Sequence, residues 1–225
     1  MKYIKHYYVD PVTLEPFSTD ASVGVNGKTH PPIPNLDVKF WLTDTNGVDI
    51  CYSVIGDIDV SSVAGVTELT EEEWFNEVEA DFLKQKENRK NQVFVIVQQI
   101  KSEIIDKWWH PSEIAAAMTI KLAESQAALA AADEAAARNV APFLTIEADT
   151  RMITVKELAQ RVMSNYNGLI AGEALVSGHR GLLCDQIEAI VFDRTDTETA
   201  RQSYANLGAF KVNEGFTQIR EQLGL

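Results

Sequence analysis

The chain has 225 residues, 45% of them apolar, and its 33 acidic against 20 basic side chains set a formal charge of −13. That length supports one large or two modest domains with a proper core, and the apolar share excludes a disordered chain. Because the acidic excess is spread along the whole length, it argues against nucleic-acid and anionic-membrane partners.

Two cysteines, Cys51 and Cys184, are too few for a disulfide framework and read as buried reduced thiols. Met1 to His6 lacks the apolar core of a signal peptide, and no apolar run approaches the ~18 residues of a membrane span. Synthesis in a cytoplasm is expected.

Residues 1–69 are β-like. Lys2 to Val9 is aromatic and β-branched and predicts a strand. Asp10-Pro11 and Glu15-Pro16 punctuate a loop, and His30-Pro31-Pro32-Ile33-Pro34 predicts polyproline II. Val38–Thr43 and Val48–Val54 then flank Asp44-Thr45-Asn46-Gly47, a hairpin in which Asn-Gly supplies positive φ. Phe40 and Leu42 alternate with Lys39, Trp41 and Thr43, so one face is free to be buried.

At Thr70 the pattern becomes helical. Thr70-Glu71-Glu72-Glu73 is a capping box, and its acidic residues suit a helix start. Trp74, Val78 and Phe82 share a face, continued by Val93, Ile96, Val97, Ile100, Ile104 and Trp108 after the polar interval Lys84–Asn91, which is either a break or a solvated surface. His110-Pro111 ends this helix and Pro111 suits the first turn of the next. Residues 112–139 are alanine-dense and predict a thin helix able to approach others closely. Pro142 starts a short segment to about Arg151, and Thr154-Val155-Lys156-Glu157 is a second capping box. Two short helices are expected near 197–206 and 213–223.

From that second box runs the strongest pattern in the chain: Val155, Val162, Leu169, Val176, Leu183 and Ile190, one apolar residue every seven. On a helix these line one stripe, ~50 Å long at ~1.5 Å per residue. The accompanying row, Leu158, Asn165, Gly172, His179 and Gln186, is a poor coiled-coil partner, and Ala159, Tyr166, Glu173, Arg180 and Ile187 form a broader, partly polar alternative. Gly168, Gly172, Gly178 and Gly181 either allow close helix contact or break the helix around Ser177–Gly181. The stripe packs within its own chain or joins copies of it.

Catalysis leaves few traces. His6, His30, His110 and His179 have no partners at metal-ligand spacing. Asp44–Asp49 departs from a calcium loop, because its glycine falls too early and no glutamate closes it. Gly27-Lys28-Thr29 resembles the end of a phosphate loop, but Ser22 stands where the first glycine belongs and His30-Pro31-Pro32 forbids the helix that must follow. No serine sits in a nucleophile elbow. Gly56-Asp57-Ile58-Asp59 reads as a turn. Trp108-Trp109-His110 closes a helix against a core or lines an interface. No catalytic, cofactor or metal residue is expected, and the chain does not read as an enzyme.

Residues 142–192 carry Pro142-Phe143-Leu144-Thr145-Ile146-Glu147-Ala148, then Ile153-Thr154-Val155-Lys156-Glu157-Leu158-Ala159 with Val162, then Gly178-His179-Arg180 and Asp185-Gln186-Ile187-Glu188-Ala189. This run resembles an alanine-rich helical module of unknown biochemical role found at the carboxyl end of many bacteriophage tail proteins, and it covers about a quarter of the chain. Phe40-Trp41-Leu42-Thr43-Asp44 and Thr67–Trp74 are similar in style to tail-fibre accessory and assembly proteins. The resemblance implies a structural component of a phage tail or baseplate, located in the virion and assembled in the host cytoplasm. Its partners would be other tail, baseplate or tail-fibre proteins and copies of itself, as dimer or trimer. A tail-fibre assembly chaperone that leaves before the particle is finished is the alternative.

The expected fold is α+β: a β-rich domain over 1–69, a helical neck over 70–110, an alanine-rich helical bundle over 111–194 and a helical tail over 195–225. The expected interface is the stripe Val155, Val162, Leu169, Val176, Leu183 and Ile190, with Trp108 and Trp109 at the neck.

Overall fold

The structure, a computed structural model, describes residues 1–7, 31, 33–43, 49–108 and 115–225. The expected hairpin turn at Asp44–Gly47, the region Gly24–His30, the end of the first strand at Tyr8-Val9, and Trp109-His110-Pro111 lie outside these residues. The fold is α+β: a four-stranded antiparallel sheet at the amino end followed by helices. The strands are β1 (Lys2–Tyr7), β2 (Asp37–Thr43), β3 (Asp49–Ile55) and β4 (Val66–Leu69), in the order β2-β3-β1-β4. Three were expected, β1 from its aromatic and β-branched residues and β2 and β3 as the arms of the Asn46-Gly47 hairpin. The short β4 was not, since four residues give period two too few repeats to stand out.

The helices are α1 (Glu71–Trp108), α2 (Ala115–Ala130), α3 (Glu134–Val140), α4 (Pro142–Thr150), α5 (Val155–Glu188), α6 (Thr197–Ala209) and α7 (Val212–Leu223). The Thr70 box closes reciprocally, with Thr70 N donating to Glu73 Oε2 at 2.9 Å and Glu73 N to Thr70 Oγ1 at 3.2 Å. α1 runs unbroken through Lys84–Asn91, so that polar interval is surface on a continuous helix. The alanine-dense stretch, expected as one helix over 112–139, is instead α2 and α3 separated at 131–133. Asp133 explains the break: its carboxylate accepts from Ala136 N at 2.8 Å, starting a new helix where a side-chain cap competes with continuation.

The chain forms two compact units, Met1–Arg89 with Ile187–Phe210, and Lys90–Gln186 with Lys211–Leu225. Their bounds differ from those of the four sequence segments: α6 falls in the unit of the sheet and α7 in the unit of the other helices.

In the first unit, Lys5, Tyr52 and Phe40 share one sheet face by register, and α1 packs on it. Fully buried Trp74 stands at the centre of this layer, 5.4 Å from the Tyr3 ring, 5.6 Å from Phe40 and 5.1 Å from Phe75. α6 joins through Tyr204, whose ring lies 5.0 Å from Phe40 and 5.4 Å from Phe82. The opposite face carries Ile4 and Ile55, covered by Ile33 and Val60. In the second unit the small side chains of α2–α4 meet the start of α5, with Ala128, Ala137, Ala141, Leu144, Ala148, Val155, Leu158 and Ala159 in one buried cluster. So many alanines let the helices approach closely.

Candidate functional site

The seven-residue stripe lies on α5 for five of its six members. The helix is continuous through Gly178 and ends at Glu188, so Ile190 falls beyond it, its amide donating to Ile187 O at 3.2 Å. Val155, Val176 and Leu183 are buried inside the chain, while Val162, Leu169 and Ile190 are half-buried. Val155 and Val162 pack on the α2–α4 cluster. Leu183 faces α7, where a Cβ on Gly215 would come within 3.1 Å of Leu183 Cδ2. A close helix contact is thus made by Gly215 on α7, while among the α5 glycines Gly172 is buried. Gly178 and Gly181 themselves face open space. Trp108 is the last residue of α1, its side chain not described, and Trp109 lies outside the described residues.

Charged side chains in both units are tied to helix ends. Glu124 accepts from Phe143 N at 3.2 Å and Leu144 N at 2.9 Å, at the start of α4. Glu134 accepts from Val155 N at 2.7 Å and Lys156 N at 3.3 Å, at the start of α5. At carboxyl ends, Lys156 donates to Ala131 O at 2.6 Å, Lys86 to Glu188 O at 2.7 Å, and Lys107 to Leu223 O at 2.6 Å. Each places a charge against the opposite pole of a helix dipole. Arg220 grips Glu103 through two bonds of 2.5 and 2.9 Å, Lys101 pairs with Glu173, and Lys121 pairs with Glu147 at 2.9 Å. These groups hold the fold together and are spoken for.

His6 Nε2 lies 2.9 Å from Ser53 Oγ, a pairing that superficially suggests an activated nucleophile. Both side chains are fully buried in the sheet, so no substrate reaches them. On the helix-facing side, Tyr3 donates to Glu71 at 2.5 Å, and Tyr52 donates to Glu77 at 2.5 Å, where Lys5 also lies 2.7 Å away. Burial first, then the neighbouring carboxylate, pushes the Tyr3 hydroxyl up to about 12 and lifts Tyr52 above the ordinary tyrosine range. Burial likewise lifts Tyr204, whose hydroxyl is shared between Val78 O at 2.8 Å and Asp81 Oδ2 at 3.0 Å.

A cleft of about 340 Å³ opens in the first unit between the end of β2, α1 and α6. Trp41, Leu42 and Thr43 form the strand wall, Asp81, Gln85 and Arg89 the α1 wall, and Tyr204, Leu207 and Gly208 the remainder. Gln85 and Arg89 fall within the polar interval Lys84–Asn91, and Asp81 stands one turn before it. Their spacing of four was the available signal, since it places all three on one helical face. Among the described residues, no helix is long and apolar enough to cross a membrane, and no three metal-ligating side chains converge. No family model matches the chain, and no curated protein or solved structure was found similar to it.

Proposed function

We propose that the chain is a structural component of a bacteriophage tail or baseplate, linking subunits through its β-rich part and its helical region. The observation that carries this reading is the distribution of side chains on the second unit. Several charged groups there, among them Glu124, Glu134 and Arg220, are committed to helix ends and internal ion pairs, whereas several large apolar groups stay in water: Met152 is 91% exposed, Ile146 72%, Leu182 52% and Ile170 50%. Apolar surface left in solvent beside a well-filled core favours contact with another protein over chemistry. The resemblance of residues 142–192 to a phage tail module points the same way and falls on α4 and α5.

Self-association as a dimer or trimer would use what α5 leaves accessible. That is half-buried Val162 and Leu169 with exposed Ile170 and Leu182, because Val155, Val176 and Leu183 are already covered by their own chain. Light scattering on the purified chain gives its mass, and Ile170→Asp with Leu182→Asp should return an oligomer to monomer. Mass spectrometry of finished particles of the encoding phage tests the location. A fixed stoichiometry in the particle supports a structural subunit. Presence only on fibre subunits during assembly makes it a chaperone, and absence from both ends the tail reading.

A further inference from the structure

We propose that the second unit pairs with the same unit of a second copy of this chain, α1 and α5 of each stacking about a twofold axis parallel to the helices as an antiparallel four-helix bundle. This deepens the self-association named above and rests on it, and it fixes the surface, the partner number and the register.

Each of the two helices carries two seams. On α1 the buried row is Val93, Val97, Ile100 and Ile104. One residue later, ~100° further round, run Phe94, Gln98, Lys101 and Ile105, in the alternating steps of four and three that mark a coiled-coil seam. α5 repeats the arrangement: Leu169, Gly172, Val176 and His179 are followed at one residue by Ile170, Glu173, Ser177 and Arg180. The two outer seams converge, since Lys101 donates to Glu173, which also accepts from Ser177 at 3.3 Å. Their own chain leaves them open. Phe94 is 52% exposed and Ile105 43%, and Gln98, Ile170 and Arg180 are exposed as well. α7 lies on another side of α1, because Glu103, which holds Arg220, stands ~200° round from Lys101.

Register decides the partner. Glu103 and Lys107 reach Arg220 and Leu223 in that order, so α1 runs with α7. Leu183 and His179 lie by Gly215 and Phe216, so α5 runs against α7 and therefore against α1. Counting outward from the Lys101–Glu173 bond then levels Ile105 with Ile170, Gln98 with Ser177, and Phe94 with Arg180, each within ~1.5 Å. The twofold axis sets each of these residues beside its level partner in the other copy. Every layer is then complementary to itself: isoleucine with isoleucine, ammonium between two carboxylates, amide with hydroxyl, aromatic ring with guanidinium. An unrelated helix has to match four chemically different layers, whereas a copy matches them by symmetry. Charge agrees. At −13 two copies repel over most of their surfaces, yet the outer seams hold Lys101 and Arg180 against Glu173 alone. The polar layers lower stability and set register and partner number.

Light scattering on the full chain over a concentration series should give twice the 25.0 kDa of one chain. Lys101→Glu and Glu173→Lys each gather like charges into one layer around the axis, so either variant alone should be monomeric. Mixed in equal amounts they should recover a dimer, because one copy then brings two carboxylates and the other two ammonium groups. Phe94→Asp should weaken the dimer roughly tenfold or more. Leu182→Asp, ~180° round α5 from Glu173, should leave it unchanged, with circular dichroism unaltered in every variant. A wild-type chain that stays monomeric, or forms a trimer, overturns the proposal whatever finished particles contain. A dimer that survives Phe94→Asp, or variants that stay monomeric on mixing, overturn it too. If that dimer is instead lost with Leu182→Asp, self-association stands and belongs to another face of α5.

Discussion

The carboxylate of Glu134 caps the start of α5, accepting from the backbone of Val155 at 2.7 Å across 21 residues of sequence. Thr154 caps the same end locally, its Oγ1 accepting from Glu157 N at 3.1 Å. The long helix is thus held at its origin by two devices, one local and one tertiary. Glu134→Ala removes the tertiary one and should lower stability by about 1–2 kcal/mol in urea unfolding. Glu134→Gln keeps an acceptor and should cost less; equal losses would show that charge against the helix end carries the whole effect.

Met152 occupies the left-handed region with φ of 54° at the end of α4. Met152 N donates to Asp149 O and Ile153 N to Ala148 O, the paired bonds of a Schellman ending, and Ile153 packs against the cluster containing Ala148. Glycine belongs at such a position, and the exposed methionine contributes little packing there. Met152→Gly should therefore raise thermal stability, by up to about 1 kcal/mol. A fall in the melting temperature would mean the methionine side chain is held by something else.

Glycines on α5 and α7 should respond with opposite signs. Gly178 and Gly181 are helical and face open space, so alanine at either should add about 1 kcal/mol through helix propensity. Gly215 is helical too, but its added Cβ would lie 3.1 Å and 3.2 Å from the two methyls of Leu183. Alanine there gains the same propensity and pays with a forced shift of α7 from α5, so Gly215→Ala should be neutral or destabilising. Denaturant melts of the three variants measure the contrast directly.

The tyrosine–carboxylate pairs predict an alkaline limit. Tyr3 titrates near 12 in the fold, against ~10 when unfolded, so above pH ~10 the unfolded chain binds fewer protons than the folded one. Its effect is absent below the unfolded value and grows unfavourable as pH rises from there to the folded value. Tyr52 and Tyr204 act in the same direction. Stability should fall between pH 10 and pH 12, and Tyr3→Phe should make the decline shallower. Absorbance at about 295 nm should show these three hydroxyls still largely protonated at pH ~11 while the chain stays folded.

Much of the local structure was readable because it depends on residues close together. The Thr70 box, Pro142 at the start of α4, and the alternation of Phe40 and Trp41 are decided within one or two turns or a few strand positions. Period-seven spacing in the same way put Val155 to Leu183 on one helix. Two features were misread, one for a local reason and one for a tertiary one. Ala131 to Asp133 looked like helix because alanine dominates the window, yet one aspartate cap ends it. The cleft was invisible because its walls, Trp41, Gln85 and Tyr204, come from three separated segments.

The amino-acid order alone determined the α+β class, most element positions and the existence of a long apolar seam on α5, since propensity, capping and periodicity act over short range. Only the folded chain decided what covers that seam, which glycine lets two helices touch, and that α6 joins the sheet while α7 joins the helices. Those outcomes depend on which surfaces meet, and residues far apart in the chain set them together.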